Sequence, residues 1–162
     1  MDYYLSLGSN VGDRYGYLQR AIKKISEFGK IKKISSVYET SPVGVKKPQD
    51  MYLNMVIAVS VEKEPIEMLK IIKRIEQKMG RDIKYSHLKP RKIDIDILFC
   101  DDLIINTKSL KIPHKEIEKR RFVLIPLSEI EPELLNPLTG ISARKMLRYC
   151  VDNGYVNLVK KK

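Results

Sequence analysis

Hydrophobic and polar positions along this chain follow two rhythms, one of about 3.6 residues and one of two. Residues 3–7 form a short apolar run ending in Gly8-Ser9-Asn10, the pattern of a strand entering a flexible turn. Leu18, Ala21, Ile22, Ile25 and Phe28 then recur at helical spacing, with Asp13 as the N-terminal cap and Gly29 as a left-handed stop. Residues 31–39, rich in Ile, Val, Ser and Tyr, predict a second strand, and Ser41-Pro42-Val43-Gly44 with Lys47-Pro48 predicts a long loop. Leu53, Met55, Ile57, Val59 and Val61 alternate with Asn54, Val56, Ala58 and Ser60, the period of a strand with one face on the core. Pro65 opens a second helix whose buried stripe is Ile66, Leu69, Ile72, Ile75 and Met79, closed by Gly80. A basic loop over 81–92 feeds a fourth strand, in which Ile93, Ile95, Ile97 and Phe99 alternate with Asp94, Asp96 and Leu98. Asp101-Asp102 turns into a short hairpin of 103–105 with 110–112, and short helices are expected around 115–121, 126–130 and 143–151.

The order strand, helix, strand, strand, helix, strand predicts an α+β fold. Its expected form is a ferredoxin-like split βαβ sandwich, an antiparallel sheet with helices on one face, plus a small hairpin and C-terminal helices. All 162 residues are expected to form one domain, since 43% are hydrophobic and a chain of this length buries roughly 70% of its unfolded surface. The longest apolar stretches, 55–61 and 122–127, fall well short of the ~18 residues of a membrane helix. The start also lacks a basic segment followed by an apolar run, so a cytoplasmic protein with no membrane partner is expected. The cysteines Cys100 and Cys150 form no CxxC pair, which fits a reducing compartment. A net charge of +11 favours an anionic partner without naming it, and Lys160, Lys161 and Lys162 read as a solvated tail.

Two constellations carry candidate chemistry. Asp94 and Asp96, two apart on a strand, lie on one face about 6.6 Å apart at the backbone while isoleucines fill the other. Side by side they repel, and a magnesium ion held with substrate phosphates would resolve the repulsion; a solvent-exposed or lysine-paired face is the alternative. Arg81, Arg91 and Lys92 before them, and His114, Lys119, Arg120 and Arg121 after, supply phosphate-clamping groups. No Walker loop or GxGxxG occurs, so side chains would have to hold any nucleotide. The second constellation is Thr40, Ser41, Pro42, Val43 and Gly44 before the long loop, with Tyr52, Asn54 and Phe122. The rings and the Asn amide could sandwich and edge-read a planar heterocycle, or the rings could be core and the amide a strand-end bond.

Ordered segments then resemble a known family. Leu7-Gly8-Ser9-Asn10, Ser36-Val37-Tyr38-Glu39-Thr40-Ser41-Pro42-Val43-Gly44, residues 49–54, Pro90-Arg91-Lys92-Ile93-Asp94-Ile95-Asp96-Ile97-Leu98, and Pro113-His114 through Phe122-Val123-Leu124-Ile125-Pro126-Leu127 are similar to hydroxymethyl-dihydropterin pyrophosphokinases of folate biosynthesis. The resemblance implies a single, monomeric pyrophosphokinase domain over 1–162 whose partners are small-molecule substrates, ATP and a reduced pterin, with no nucleic acid expected. It implies transfer of pyrophosphate from ATP to the hydroxymethyl oxygen of a reduced pterin, giving AMP and the pterin diphosphate. By position, Asp94 and Asp96 would bind two magnesium ions, with Arg81 and Arg91 as further catalytic groups. Glu76, Arg81, Arg91, Ile97, His114 and Arg120 would bind ATP; Thr40, Ser41, Pro42, Val43, Tyr52, Asn54 and Phe122 would bind the pterin. The family's mobile loops map onto 10–14, 41–51 and 81–92. Departures fall at Ile83 (with Lys84 beside it), Leu88, Lys89 and Lys115, where the family tends to carry an arginine, an aromatic, a small residue and an aromatic respectively. Two other classes fit part of the pattern: an RNA-binding sheet, which would meet two aspartates on its strand, and a nucleotidyl transferase, which would release pyrophosphate.

Overall fold

Six strands build one antiparallel sheet among residues 1–43, 49–80 and 90–161, the part of the chain that the computed structural model describes. The elements run β1 (Asp2–Ser9), α1 (Arg14–Ser26), β2 (Gly29–Ile34), β3 (Val37–Thr40), β4 (Tyr52–Val61), α2 (Pro65–Lys78) and β5 (Asp94–Cys100). A two-residue hairpin follows, β6 (Ile105–Asn106) with β7 (Lys111–Ile112). Then come a 3-10 turn at Ile117–Lys119, α3 (Arg121–Ile130), α4 (Ala143–Tyr149) and β8 (Val156–Lys160). The sheet order is β5-β1-β4-β3-β8, with β2 also pairing with β4. The fold is α+β, as the periodicities require.

Alternation along the strands sorts the side chains into two cores. Leu5 and Leu7 of β1, Met55, Ile57 and Val59 of β4, and Ile95 and Ile97 of β5 pack against Leu18, Ala21 and Ile25 of α1 and Met68, Ile72 and Ile75 of α2. On the opposite face, Val56 and Ala58 join Leu98 and Phe99 beneath Val123, Leu124 and Leu127 of α3 and Met146 of α4. Burying each large side chain contributes about 1.5–3 kcal/mol. The expectation that β4 faces the core on one side only is therefore corrected: the C-terminal helices roof the second face. They cover the Val56 and Ala58 end of that face and leave the Tyr52 end open.

Other expectations also change. The single strand over 31–39 is two, because the ladder breaks at Ser35 and Ser36: Ser35 N–H still donates to Val56 O, but Val56 N–H goes to Ser35 Oγ (2.9 Å), and Glu129 accepts from both Ser36 N–H and Ser36 Oγ. Gly29 is no left-handed stop but the first residue of β2, where a Cβ would stand 2.3 Å from Ser60 O; the small residue permits a close backbone approach. Phe28 and Ile66, placed in buried stripes, are 45% and 42% exposed: α1 ends at Ser26, before Phe28, and Ile66 lies outside the buried face of α2. Gly8 and Ser9 belong to β1 rather than to a turn. The helix expected from 126 begins at Arg121 with Pro126 inside it, and the one around 115–121 shrinks to the 3-10 turn. Lys160 lies in β8, with its ammonium over the Tyr15 ring, rather than in a free tail. Among the described residues, no helix is long and apolar enough to cross a membrane.

Candidate active site

The second sheet face is apolar at one end and polar at the other, and that change creates the site. Cross-strand pairing aligns Asp94, Gly8 and Asn54 in one row and Asp96, Ser6 and Val56 in the next. Beyond the second row, α3 covers the sheet; before it, the face opens into a cleft of about 660 Å³. Its walls include Thr40, Ser41, Val43, Tyr52, Asn54 and Phe122 on one side, and Asp94, Asp96, Arg91, His114 and Arg120 on the other.

Gly8 makes the floor. A Cβ there would lie 2.6 Å from Asn54 Oδ1 and 3.6 Å from the Tyr52 ring, so only glycine leaves room for the Asn54 amide. That amide donates from Nδ2 to Thr40 Oγ1 (2.6 Å), and Asn54 and Thr40 are both buried. Val43, at 58% exposure, stands at the rim. Pro42 is not among the lining residues.

On the acidic side, Asp94 and Asp96 point into the cleft because Ile95 and Ile97 fill the first core. Arg91 Nη1 lies 2.5 Å from Asp94 Oδ2. Arg120 Nη1 is 3.5 Å from Asp96 Oδ2, and its guanidinium carbon is 5.9 Å from the centre of the Phe122 ring, so one side chain bridges the acid and the aromatic wall. His114 Nδ1 accepts from Glu116 N–H at 3.2 Å, which leaves the proton of a neutral ring on Nε2, 4.0 Å from Asp96 Oδ2. Burial lowers the His114 pKa; Asp96 opposes this and Arg120 adds to it, so the ring is a neutral Nε2–H donor at pH 7.

Glu76, expected on the nucleotide side, is 1% exposed on α2, accepts from Ile95 N–H (2.9 Å) and receives Lys73 Nζ (3.0 Å), so it braces β5 between the two aspartates; it is not among the residues lining the cleft. Ile97, which packs in the first core, is also among the residues lining the cleft. Arg81, with Ile83, Lys84, Leu88 and Lys89, lies outside the described residues.

Among the described residues no group of three or more acids, histidines or cysteines gathers to hold a metal. Two carboxylates suit magnesium, which takes one or two protein oxygens and completes its octahedron with water and substrate phosphates. The donor set fits a cation that arrives with a phosphate chain. Sequence reasoning missed Gly8, Ser6, Lys73 and Lys111 among the lining residues. Cross-strand register, which places Gly8 and Ser6 opposite the acids, was the signal for the first two; the lysines carry none.

Comparison with known proteins gives a family and a fold. Residues 4–132 match the model of the family described as 7,8-dihydro-6-hydroxymethylpterin-pyrophosphokinase (HPPK). A 2-amino-4-hydroxy-6-hydroxymethyldihydropteridine pyrophosphokinase of Aquifex aeolicus is 47% identical over 135 residues, 83% of each chain. One from Bacillus subtilis is 38% identical over 78% of this chain and 76% of its own. A Plasmodium falciparum HPPK-DHPS crystal structure shares the fold, with a TM-score of 0.72 at 19% identity over 91% of this chain, which spans 42% of that longer one.

Proposed function

This chain belongs to the 7,8-dihydro-6-hydroxymethylpterin-pyrophosphokinase family, a pyrophosphokinase of folate biosynthesis, and on that premise we propose how its cleft works, with ATP as donor and magnesium as the required cation. The observation that carries the reading is that one cleft joins a flat-walled recess (Tyr52, Asn54, Phe122) to a cation-lined acidic pair (Asp94, Asp96 with Arg91 and Arg120). The first half suits a planar heterocycle with a hydrogen-bonding edge, the second a polyphosphate with its dications.

In this reading Tyr52 and Phe122 stack the pterin, while Asn54, fixed by Thr40, reads its edge with the backbone of Thr40, Ser41, Pro42 and Val43. Asp94 and Asp96 hold two magnesium ions, which when bound supply charge neutralisation to the triphosphate. Arg81, Arg91, Arg120 and the His114 Nε2–H donate to phosphate oxygens, where Arg forks give geometry as well as charge. Glu76 keeps β5 in register so that both acids stay aimed at the cleft. The hydroxymethyl oxygen bonds to the β-phosphorus, the bond from that phosphorus to the α,β-bridging oxygen breaks, AMP departs and the hydroxyl proton is released. Orientation and preorganised charge supply most of the rate, since no side chain forms a covalent intermediate.

Residues 1–162 act as one monomeric domain in this proposal, in the cytoplasm, a location supported by two free thiols. Asp94→Asn and Asp96→Asn test the assignment. Each is expected to lower turnover at least about a thousandfold while leaving pterin binding, followed by ligand fluorescence, within about threefold. Near-normal turnover in either variant would remove the metal role.

A further inference from the structure

Asn10 does something that a turn asparagine does not. In turns such side chains bond their own backbone a residue or two on. Asn10 instead spends its groups on two distant segments and is 1% exposed. Its backbone N–H donates to Arg91 O (3.1 Å) and its Oδ1 accepts from Arg91 N–H (2.8 Å), a reciprocal pair that fixes Arg91 at the end of β1. Its Nδ2 donates to Gln49 Oε1 and to Asp50 O, both at 3.2 Å. The chain leaving Asp50 is held again one residue later, where Arg14 Nη1 donates to Met51 O at 2.7 Å, and then enters β4 at Tyr52.

One planar amide therefore registers two parts of the cleft against each other. Arg91, whose side chain is 10% exposed, faces Asp94 on the acidic side; Tyr52 lines the recess. The amide is rigid, so a shift of one segment is passed to the other, and breaking either arm leaves a buried group without its partner. We propose that Asn10 is a positioning residue for the transfer reaction, setting the Arg91 guanidinium at the correct distance from the recess that holds the acceptor. The proposal rests on the function given above.

Asn10→Asp separates the two arms. The remaining oxygen can still accept from Arg91 N–H, but the donor to Asp50 O becomes a second acceptor facing a carbonyl. Loss of the two part-buried Nδ2 hydrogen bonds corresponds to about a tenfold effect or more. The expected result is a kcat lowered about tenfold and a raised KM for the pterin, measured well below the melting temperature. Gln49→Ala, a change at a half-buried position that leaves the core untouched, should shift the same constants in the same direction by a smaller factor, and it stands in if the first variant does not fold. In the Arg91→Ala background, Asn10→Asp should lower kcat less than about twofold, because the group it positions is gone; a structural role alone would give the same factor in both backgrounds. A kcat fall below about threefold in the otherwise normal enzyme, or an equal fall in both backgrounds, overturns the proposal. Formation of AMP and diphosphorylated pterin by the unaltered protein in the same assay is a separate readout, whose failure would count against the function and not against Asn10 alone.

Discussion

Adding a single methyl group to the floor of the cleft should separate its two halves. In Gly8→Ala the new carbon would start 2.6 Å from Asn54 Oδ1 and must open that gap by about 0.8 Å to reach ordinary contact. Asn54 cannot yield freely, because it is buried and its Nδ2 already sits 2.6 Å from Thr40 Oγ1. Turning the amide away breaks that bond and misaims the edge-reading group, at about 1–3 kcal/mol, or roughly 5- to 150-fold in affinity. Gly8 lies between Asn54 and Asp94 in the cross-strand row, but the steric conflict falls on the Asn54 side. Steady-state kinetics with each substrate varied in turn should therefore show the KM for the pterin rising by that factor while the KM for ATP moves less than about twofold. Equal pterin KM values for Gly8→Ala and the unaltered protein, at matched melting temperatures, would refute the steric argument.

Four further outcomes follow from the same geometry. Gly29→Ala would drive a Cβ into the Ser60 carbonyl oxygen, and a loss of about 3 kcal/mol is expected by urea titration. Glu129→Ala removes the acceptor shared by Ser36 N–H, Ser36 Oγ and Tyr38 OH, and should cost about 2–3 kcal/mol by the same method. Burial, then the Glu129 hydrogen bond and charge, push the Tyr38 phenol up to about 12. The unfolded chain thus releases that proton first, and stability falls as pH rises from 10 toward 12; Tyr38→Phe should lessen the slope. His114 has the opposite sign: burial lowers its folded pKa, so the unfolded chain takes up the proton first and stability falls as pH drops below 6.5. His114→Gln should flatten that acid limb in a melting series; an unchanged limb would contradict the neutral Nε2–H donor.

Much of this architecture was legible because strands and helices announce themselves by period. Ile95 and Ile97 against Asp94 and Asp96 predicted which way the acids point, and the apolar stripe of α1 predicted its buried face. What failed had physical reasons. Strand β4 reads as one-sided because Val56 and Ala58 alternate with larger residues, yet α3, distant in sequence, covers them. The break at Ser35 and Ser36 depends on Glu129, 93 residues away from Ser36, which no local pattern carries. Gly29 and Gly8 look alike as turn residues, but both are small because another group lies close across the sheet. Glu76 sits on the expected helix, and its bond from Ile95 N–H ties α2 to β5, a contact between distant segments that no local pattern carries. Exposed β8 lacks the strict alternation that would have marked it as a strand, and pairing with β3 orders it.

The central claim is that the two halves of the cleft bring a phosphate chain and a heterocycle together for one transfer. Incubating the protein with ATP, magnesium and 6-hydroxymethyl-7,8-dihydropterin, and resolving the products by anion exchange and mass, tests it directly. AMP and diphosphorylated pterin in equal amounts are predicted; ADP with a monophosphorylated pterin, or free pyrophosphate with a nucleotidylated one, would contradict it.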